Sequence, residues 1–227
     1  MSGFAPRLAA LRARIRAAAE ACGRDPGEVR IIGVAKLKPA AAVAEALDAG
    51  LTDIGENFVQ EALDKMDALG GRVATWHFIG ALQSNKTRPV AERFDWVHSV
   101  ERLKIARRLS EQRPSDAPPL NVCIQVHLGG EATKAGAAPA EVPALAGEIA
   151  RLPGLRLRGL MAVPPPETDP ERQRAWCRQL RELCESLRQG GIDLDTLSMG
   201  MSDDLEAAIA EGATHVRIGT ALFGPRA

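Results

Sequence analysis

Short apolar runs alternate with polar or amphipathic stretches along almost the whole chain. Eight runs have the length and composition of strands, at 30–36, 51–55, 75–80, 95–100, 120–127, 155–163, 194–199 and 214–219. The segments between them carry helical signals over 39–49, 57–69, 83–92, 101–113, 139–151, 170–189 and 203–212. Asn57, Ser84 and Ser202 are predicted to cap three of these helices. Strands that alternate with helices in this way pair in parallel.

The number of units separates two α/β architectures. Eight strand–helix units in 227 residues fit a (β/α)8 barrel, which typically takes ~250 residues and can shrink to ~200. A doubly wound open sheet needs fewer strands and usually carries a Gly-rich first turn, which this chain lacks. Apolar positions at helical spacing over 4–22 predict a further helix ahead of the first strand. We therefore expect an α/β fold, a single TIM barrel domain over 1–227 with an extra N-terminal helix.

A lysine stands at the end of the first predicted strand. Lys36 follows the apolar run and would direct its amine into the mouth of the barrel. A lysine at a strand end is by itself a weak signal, since most such lysines are simply solvated. The residues that follow the last two strands strengthen the functional interpretation of this lysine, because the first and last strands of a closed barrel are adjacent.

Small and hydroxyl-bearing residues close the last two predicted strands. Ser202 follows the seventh strand, and Gly219 and Thr220 follow the eighth, which is where barrels of this type bind phosphate. Ser202 also has the sequence context of a helix N-cap, and a helix N-terminus is itself an anion site, so both interpretations hold together. An aldehyde that carries a phosphate would satisfy both the amine and the phosphate cradle.

Arg217 lies within an apolar strand, where a buried guanidinium needs partners. One explanation is an ion pair with a helix carboxylate. The other is a donor to the ring nitrogen of a cofactor, which would stay unprotonated because arginine keeps its own proton. Asn57 and the polar segment 83–86 would line the same mouth. His77 fits a core histidine as well as a catalytic one, and Glu56 and Asp204 are candidate bases without a diagnostic spacing.

Composition narrows the classes of partner. Basic and acidic residues balance at 29 each, which gives no sign of a nucleic-acid or membrane partner. Arginines interrupt the one candidate signal segment and no apolar run approaches ~18 residues, so we expect a cytoplasmic protein. The four cysteines form no C-x-x-C pair, so we expect reduced thiols and no metal site.

Several motifs occur in the order found in one known family. They are VAKLKP at 34–39, GENFVQE at 55–61, WHFIG at 76–80, LQSNK at 82–86, RGLMA at 158–162 and SMGMSDD at 198–204. With these motifs the chain resembles the pyridoxal phosphate homeostasis proteins from about residue 30 to 224. It departs from them at Ala35 and Leu37, where the family often has serine and threonine, and at His127-Leu128-Gly129, where a more polar run is common. The departures affect loop contacts rather than the lysine.

The resemblance implies a single barrel like the N-terminal domain of alanine racemase, with pyridoxal 5'-phosphate (PLP) bound as an aldimine of Lys36 and no established catalytic turnover. It further implies that Ser202, Gly219 and Thr220 hold the phosphate, that Arg217 meets the pyridine nitrogen and that Asn57 lies beside the ring. Lys38 and Lys86 are reserve amines near the mouth.

Three functions use such a lysine and phosphate cradle. We favour a monomeric carrier or regulator in PLP homeostasis, without substantial turnover, whose recipients are apo forms of PLP-dependent enzymes. The alternative is an amino-acid racemase, but the racemases that the chain resembles use a tyrosine opposite the lysine, and this chain has no tyrosine. A Schiff-base aldolase acting on a sugar phosphate is the third class.

Overall fold

The computed structural model describes residues 3–129 and 135–224, and within them the chain closes into a barrel of eight strands. Each strand pairs in parallel with the next along the chain, and the last returns to pair with the first. The strands are β1 Arg30–Val34, β2 Asp53–Glu56, β3 Thr75–Phe78, β4 Trp96–Val100, β5 Leu120–Gln125, β6 Leu155–Met161, β7 Thr196–Ser198 and β8 His215–Ile218. The predicted TIM barrel is confirmed.

Helices connect the strands around the outside of the barrel. They are α1 Phe4–Ala21, α2 Ala40–Asp48, α3 Val59–Ala68, α4 Thr87–Arg93, α5 Leu103–Gln112, α6 Val142–Ile149, α7 Pro170–Gln189, α8 Leu205–Ala210 and α9 Thr220–Phe223. The first of these is the predicted extra helix. The last was not predicted, because four residues are too few for helical periodicity to show. Among the described residues, no helix combines the length and the apolar composition needed to span a bilayer.

The three predicted helix caps are wrong, because each α-helix begins later than its sequence pattern suggests. Asn57 lies before α3, since Phe58 keeps an extended backbone (φ −122°, ψ 122°) and takes the cap position. Ser84 begins a 3-10 turn that precedes α4. Ser202 precedes α8 without capping it, because the cap position belongs to Asp204. The side chains of Asn57 and Ser202 are thus not used by these helices.

Alternation along the strands divides the buried side chains into two layers. In β8, Val216 and Ile218 belong to the apolar layer between strands and helices, which we call the outer layer. His215 and Arg217 face the barrel axis, in what we call the barrel interior. A ring contact fixes this orientation, because His215 and Trp96 have centroids 5.1 Å apart although β8 and β4 lie on opposite sides of the barrel.

Helix α1 covers the junction where the last strand meets the first. Its buried residues recur at helical spacing and include Phe4, Leu8 and Ile15. It packs against α8 and α9 on one side and α2 on the other. The rings of Phe4 and Phe223 lie 5.1 Å apart between centroids. The extra helix therefore shields the seam between β8 and β1.

Candidate functional site

The residues that the sequence singles out lie where four neighbouring strands end. Lys36 follows β1, Asn57 follows β2, Ser202 follows β7, Arg217 lies in β8, and Gly219 and Thr220 follow β8. The order β7–β8–β1–β2 around the barrel makes these strand ends neighbours. The fold thus brings all six residues to one side of the C-terminal mouth.

Lys36 occupies a tight turn directly after β1. The N–H of Lys38 donates to the carbonyl of Ala35 at 3.0 Å and closes the turn. Within it Leu37 has φ 60°, a left-handed conformation that no other non-glycine residue of the described chain adopts. The Lys36 side chain is half-buried, and no hydrogen bond or ion pair joins its ammonium to a described residue. The turn therefore presents an uncommitted amine.

Two side chains of α3, Glu61 and Lys65, hold that turn in place, and we call them the turn clamp. Lys65 Nζ donates to the Ala35 carbonyl at 2.7 Å, and Glu61 Oε1 accepts from the Leu37 N–H at 2.6 Å. Lys65 Nζ also donates to Glu61 and to Glu56, at 2.6 Å each. Our sequence reasoning missed the clamp. Its signal was a Glu–Lys pair four residues apart on a helix, with the lysine on the buried face.

The two candidate bases have structural partners. Glu56 is fully buried against the turn clamp, and burial raises its pKa to about 7 although Lys65 opposes the shift. Its second oxygen, Oε2, has no partner among the described residues. Asp204 Oδ1 accepts the backbone N–H of Met201 at 2.6 Å, which shapes the loop that carries Ser202. Neither geometry assigns these carboxylates to proton transfer at the mouth.

Arg217 is held by two neutral acceptors. Its NH1 donates to Ser198 Oγ at 2.8 Å, and its NH2 donates to the carbonyl of Ala162 at 2.7 Å. No described carboxylate forms an ion pair with it, so the alternative of a helix carboxylate partner is not what the structure contains. Burial lowers the pKa of Arg217 to about 10, which still leaves the guanidinium charged at neutral pH. A guanidinium has five N–H donors, so three remain beyond these two bonds.

Asn57 brings an unpaired acceptor to the same mouth. Its Oδ1 is buried and has no hydrogen-bond partner among the described residues. The position of its backbone depends on Gly80, because a Cβ at residue 80 would lie 2.1 Å from the Asn57 carbonyl oxygen. A buried polar atom without a partner is costly in a folded protein and therefore calls for an explanation. A bound ligand with a donor group supplies one.

The predicted phosphate residues form a set of small donors. Ser202 is half-buried, and no hydrogen bond joins its hydroxyl to a described residue. In helix α9, which begins at Thr220, the N–H groups of Leu222 and Phe223 donate to the Gly219 carbonyl, whereas those of Thr220 and Ala221 have no acceptor within the helix. A Cβ at Gly219 would lie 3.6 Å from the Val34 carbonyl oxygen, which is ordinary contact. The protein itself therefore leaves space beside Gly219.

The reserve amines lie nearby in different settings. Lys38 is half-buried and closes the turn that carries Lys36. Lys86 is exposed at the end of the 3-10 turn that follows β3. No group of three or more His, Cys, Asp or Glu side chains in residues 3–129 and 135–224 is arranged to hold a metal ion.

A wide cavity of about 960 Å³ opens beside the Ser202 loop. Its apolar wall includes Val163, Trp176, Met201 and a run of three prolines in the loop between β6 and α7. Acidic side chains, Glu167 and Asp203 among them, stand along the same cavity. The mouth of the barrel therefore continues into an open, mostly apolar groove with a negative rim.

Comparisons with known proteins agree with this geometry over the whole chain. Residues 7–227 match the family model described as alanine racemase, N-terminal domain. The chain is 62% identical over 226 residues to the pyridoxal phosphate homeostasis protein of Pseudomonas aeruginosa, covering 100% of this chain and 97% of that protein. The protein of the same name from Escherichia coli K12 is 53% identical over 229 residues, covering 100% of this chain and 98% of that protein.

Solved structures give the same fold. PipY of Synechococcus elongatus, solved with PLP bound, superposes with a TM-score of 0.87 at 39% identity, covering 97% of this chain and 100% of PipY. Alanine racemase of Corynebacterium glutamicum gives a TM-score of 0.73 at 16% identity, covering 96% of this chain and 62% of the racemase. The latter similarity concerns the fold alone.

Proposed function

Since the chain belongs to the family of pyridoxal phosphate homeostasis proteins, we propose that it binds pyridoxal 5'-phosphate and serves in PLP homeostasis as a carrier or regulator. The observation that carries the proposal is the arrangement around Arg217. A buried, charged guanidinium with donors to spare lies on the strand next to the one that ends in an uncommitted lysine. PipY, which shares this fold at 39% identity, binds the same cofactor.

The side chains present fit the groups of PLP. Ser202 and the backbone amides near Gly219 and Thr220 are the donors that a phosphate requires. Arg217 is the donor for the pyridine nitrogen, and Asn57, with its unpaired Oδ1, lies beside the ring. These groups come from the ends of β2, β7 and β8, and barrel proteins assemble their sites from several strand ends.

Lys36 is the residue that we propose to bind the cofactor covalently. Its amine would bind the aldehyde of PLP covalently, with loss of one water. The turn clamp supports this role, because Glu61 and Lys65 hold the backbone on both sides of Lys36. Lys38 and Lys86 are reserve amines near the mouth that would accept the cofactor during transfer.

Two features of the sequence and the site support a non-catalytic role: the arginine assigned to the ring nitrogen and the absence of tyrosine. Bound PLP stabilises carbanions best when its ring nitrogen is protonated, and Arg217 holds its own proton too tightly to give it away. Racemisation also needs acid and base groups on both faces of the cofactor, and the chain contains no tyrosine. We therefore propose a monomeric cytoplasmic carrier whose recipients are apo forms of PLP-dependent enzymes, and keep a racemase-like enzyme as the alternative.

Spectroscopy and trapping test cofactor binding. The purified protein mixed with PLP should develop a visible absorbance band, and borohydride should fix the cofactor to the chain. Lys36→Ala should lose both signals, whereas Lys38→Ala and Lys86→Ala, the matched lysine controls at the same mouth, should keep them. A trapped cofactor on Lys38 or Lys86 in an otherwise native chain contradicts the assignment to Lys36.

Turnover tests the carrier against the racemase. PLP-loaded protein is incubated with L- and D-amino acids while enantiomer ratios are followed, and separately with an apo PLP-dependent enzyme while its reactivation is followed. We expect reactivation that depends on Lys36 and no racemisation above the background of free PLP. Racemisation at ordinary enzyme rates, lost in Lys36→Ala, favours the alternative function.

A further inference from the structure

A line of hydrogen bonds crosses the barrel interior from its N-terminal end to Arg217. Asp53 Oδ1 bonds His77 Nε2 at 3.0 Å, and His77 Nδ1 bonds His98 Nε2 at 2.9 Å. His98 Nδ1 then bonds Ser198 Oγ at 2.8 Å, and the same Oγ accepts from Arg217 at 2.8 Å. We call Asp53, His77, His98 and Ser198 the interior chain. It draws on β2, β3, β4 and β7.

The chemistry of the Asp53 end fixes the direction of every bond. An ionised carboxylate only accepts, so His77 carries its hydrogen on Nε2 and its neutral ring accepts at Nδ1. By the same step His98 donates from Nε2 and accepts at Nδ1, so the Ser198 hydroxyl must donate to it. Ser198 Oγ then offers its lone pairs to Arg217, which only donates. In each hydrogen bond of this series, the donor is therefore the residue nearer to Arg217 and the acceptor is the residue nearer to Asp53.

The electrostatics support these protonation states. Burial lowers the pKa of His77, and it lowers the pKa of His98 well below the ordinary value, so both rings are neutral. Burial opposes ionisation of Asp53, but its hydrogen bond with His77 and the charge of Arg30 outweigh burial and lower its pKa. The Arg30 guanidinium donates to the same oxygen of Asp53 at 3.1 Å.

The interior chain is not what packing alone would produce. The interior of a barrel of this kind is usually filled by Val, Ile and Leu, and a polar network left partly unsatisfied is worse than an apolar core. Here every chain member has the partners just given, whereas the adjacent His215 leaves its Nε2 without a partner among the described residues. The hydrogen bonds of the interior chain therefore lead to Arg217 and fix its position.

We propose that Asp53, His77, His98 and Ser198 are positioning residues that hold the Arg217 guanidinium in one orientation, with its remaining N–H donors toward the cofactor ring. This inference rests on the proposed function, since PLP is the partner given to Arg217 there. Ser198 supplies the acceptor, and the charge of Asp53 keeps the whole chain in one direction. All fixing partners of Arg217 within the described residues are neutral, so its charge stays available to the ring.

The first experiment uses the cofactor-free protein. ¹⁵N NMR of histidine-labelled protein should show His77 and His98 as neutral tautomers with the hydrogen on Nε2. Ser198→Ala should change the Nδ1 signal of His98, because that nitrogen loses its donor. Ser99→Ala is the matched control. Ser99 is a buried serine of β4, the strand that carries His98, and its hydroxyl has no partner among the described residues. A hydrogen on Nδ1 of His98 in the unmodified protein overturns the direction of the chain.

The second experiment measures PLP binding and its absorbance band. Ser198→Ala should weaken binding about ten-fold, the effect of losing one hydrogen bond to a charged group, and should shift the band because the ring nitrogen meets a misplaced donor. Ser198→Thr restores the hydroxyl and should restore the band, and Ser99→Ala should change neither. Asp53→Asn, at the far end, should shift the band in the same direction as Ser198→Ala.

Each outcome bears on a different statement. Equal affinities and identical bands for Ser198→Ala, Asp53→Asn and Ser99→Ala overturn the positioning role while leaving the proposed function intact. If Ser198→Ala does not fold, the Asp53→Asn band decides in its place, and an unchanged band overturns the proposal. A native protein that binds no PLP overturns the proposed function and this inference together.

Discussion

The barrel interior and the outer layer are both buried, yet their chemistry differs. The outer layer is a continuous core of aliphatic and aromatic side chains that joins strands to helices. The barrel interior contains the interior chain and His215, and its small apolar cluster consists of Trp96, Cys123 and Met161. The outer layer is predominantly apolar, whereas the barrel interior is organised around polar groups.

The difference indicates a division of labour between stability and function. Aliphatic burial is the main source of folding free energy, so the outer layer supplies most of it. The barrel interior contributes less to the folding free energy, because polar groups that extend to the mouth take the place of aliphatic side chains. Charged groups occur beside the outer layer at Glu211, which pairs with Arg174, Arg178 and Arg181 of α7, and at the turn clamp, where they support Lys36.

The largest effect is expected in the outer layer. Leu109→Ala, at a fully buried position of α5, should lower the free energy of unfolding by ~2–5 kcal/mol, because it removes apolar contacts and leaves a cavity. Chemical denaturation measures the change, and the highly exposed Val73→Ala serves as the control. The PLP affinity of the folded Leu109→Ala protein should stay the same. A large loss of affinity would show that the two layers are not separable.

The next effect concerns acid stability, to which the interior histidines contribute. Burial lowers the pKa of His215 to about 3, against ~6.5 in the unfolded chain. Between these values the unfolded state binds a proton that the folded state does not, so stability falls as the pH falls. His215→Phe keeps a ring and removes this penalty, so it should gain ~2 kcal/mol at pH 5 relative to its own effect at pH 8.

Denaturation at the two pH values measures the change. Val216→Ala, the adjacent outer-layer residue of β8, is the control, because it should lower stability equally at both pH values. Glu56 works in the opposite direction. Its pKa is raised to about 7, so its contribution to stability falls as the pH rises through the range between ~4.5 and that value. The same gain for His215→Phe at pH 8 and pH 5 would contradict the assignment of a neutral interior histidine.

Two glycines, Gly33 in β1 and Gly219 directly after β8, compare the outer layer with the proposed cofactor site. A Cβ at Gly33 would lie 2.7 Å from Leu51 Cδ2 and 3.3 Å from the Phe223 ring in the outer layer. A Cβ at Gly219 meets nothing closer than 3.6 Å. Gly33→Ala should therefore cost ~1–3 kcal/mol of stability, and Gly219→Ala should cost less while weakening PLP binding. The reverse pattern, with binding lost in Gly33→Ala alone, would contradict the placement of the phosphate at Gly219.

The smallest change in stability is expected at the turn clamp. Glu61→Ala removes the acceptor of the Leu37 N–H from a partly exposed side chain, and should cost about 1 kcal/mol or less. It should nevertheless slow the formation of the borohydride-trapped adduct, because the Lys36 turn loses one of its two supports. Asp64→Ala, on the exposed face of the same helix, is the control. Equal adduct rates in the two variants would assign the clamp to stability alone.

The barrel and its mouth were accessible to sequence reasoning. In β8, His-Val-Arg-Ile, a period of two places the apolar residues on one face, and eight such units imply closure. The end of each strand then gives the position of Lys36 or Ser202 without any knowledge of side-chain contacts. Local pattern and connectivity suffice for both.

The interior chain was not accessible in this way. His77, His98 and Ser198 were each consistent with an ordinary core or loop residue, and their partnership depends on which side chains meet across the barrel. That geometry follows from strand register and barrel radius, which periodicity does not report. The start of α8 was misjudged for a related reason, since Asp204 makes its bond to the Met201 N–H only in the folded loop.

The pairing of β1 with β8 has a consequence for how the protein is made. Residues 30–33 pair with 215–218, so the seam closes only after residues 215–218 have left the ribosome, at ~5–20 residues per second. Lys36 and Arg217 stand on opposite sides of that seam. Contacts so distant in sequence form late and slowly during folding. A nascent chain without β8 therefore has the amine but not the pocket, and cofactor capture should begin only once β8 has emerged from the ribosome.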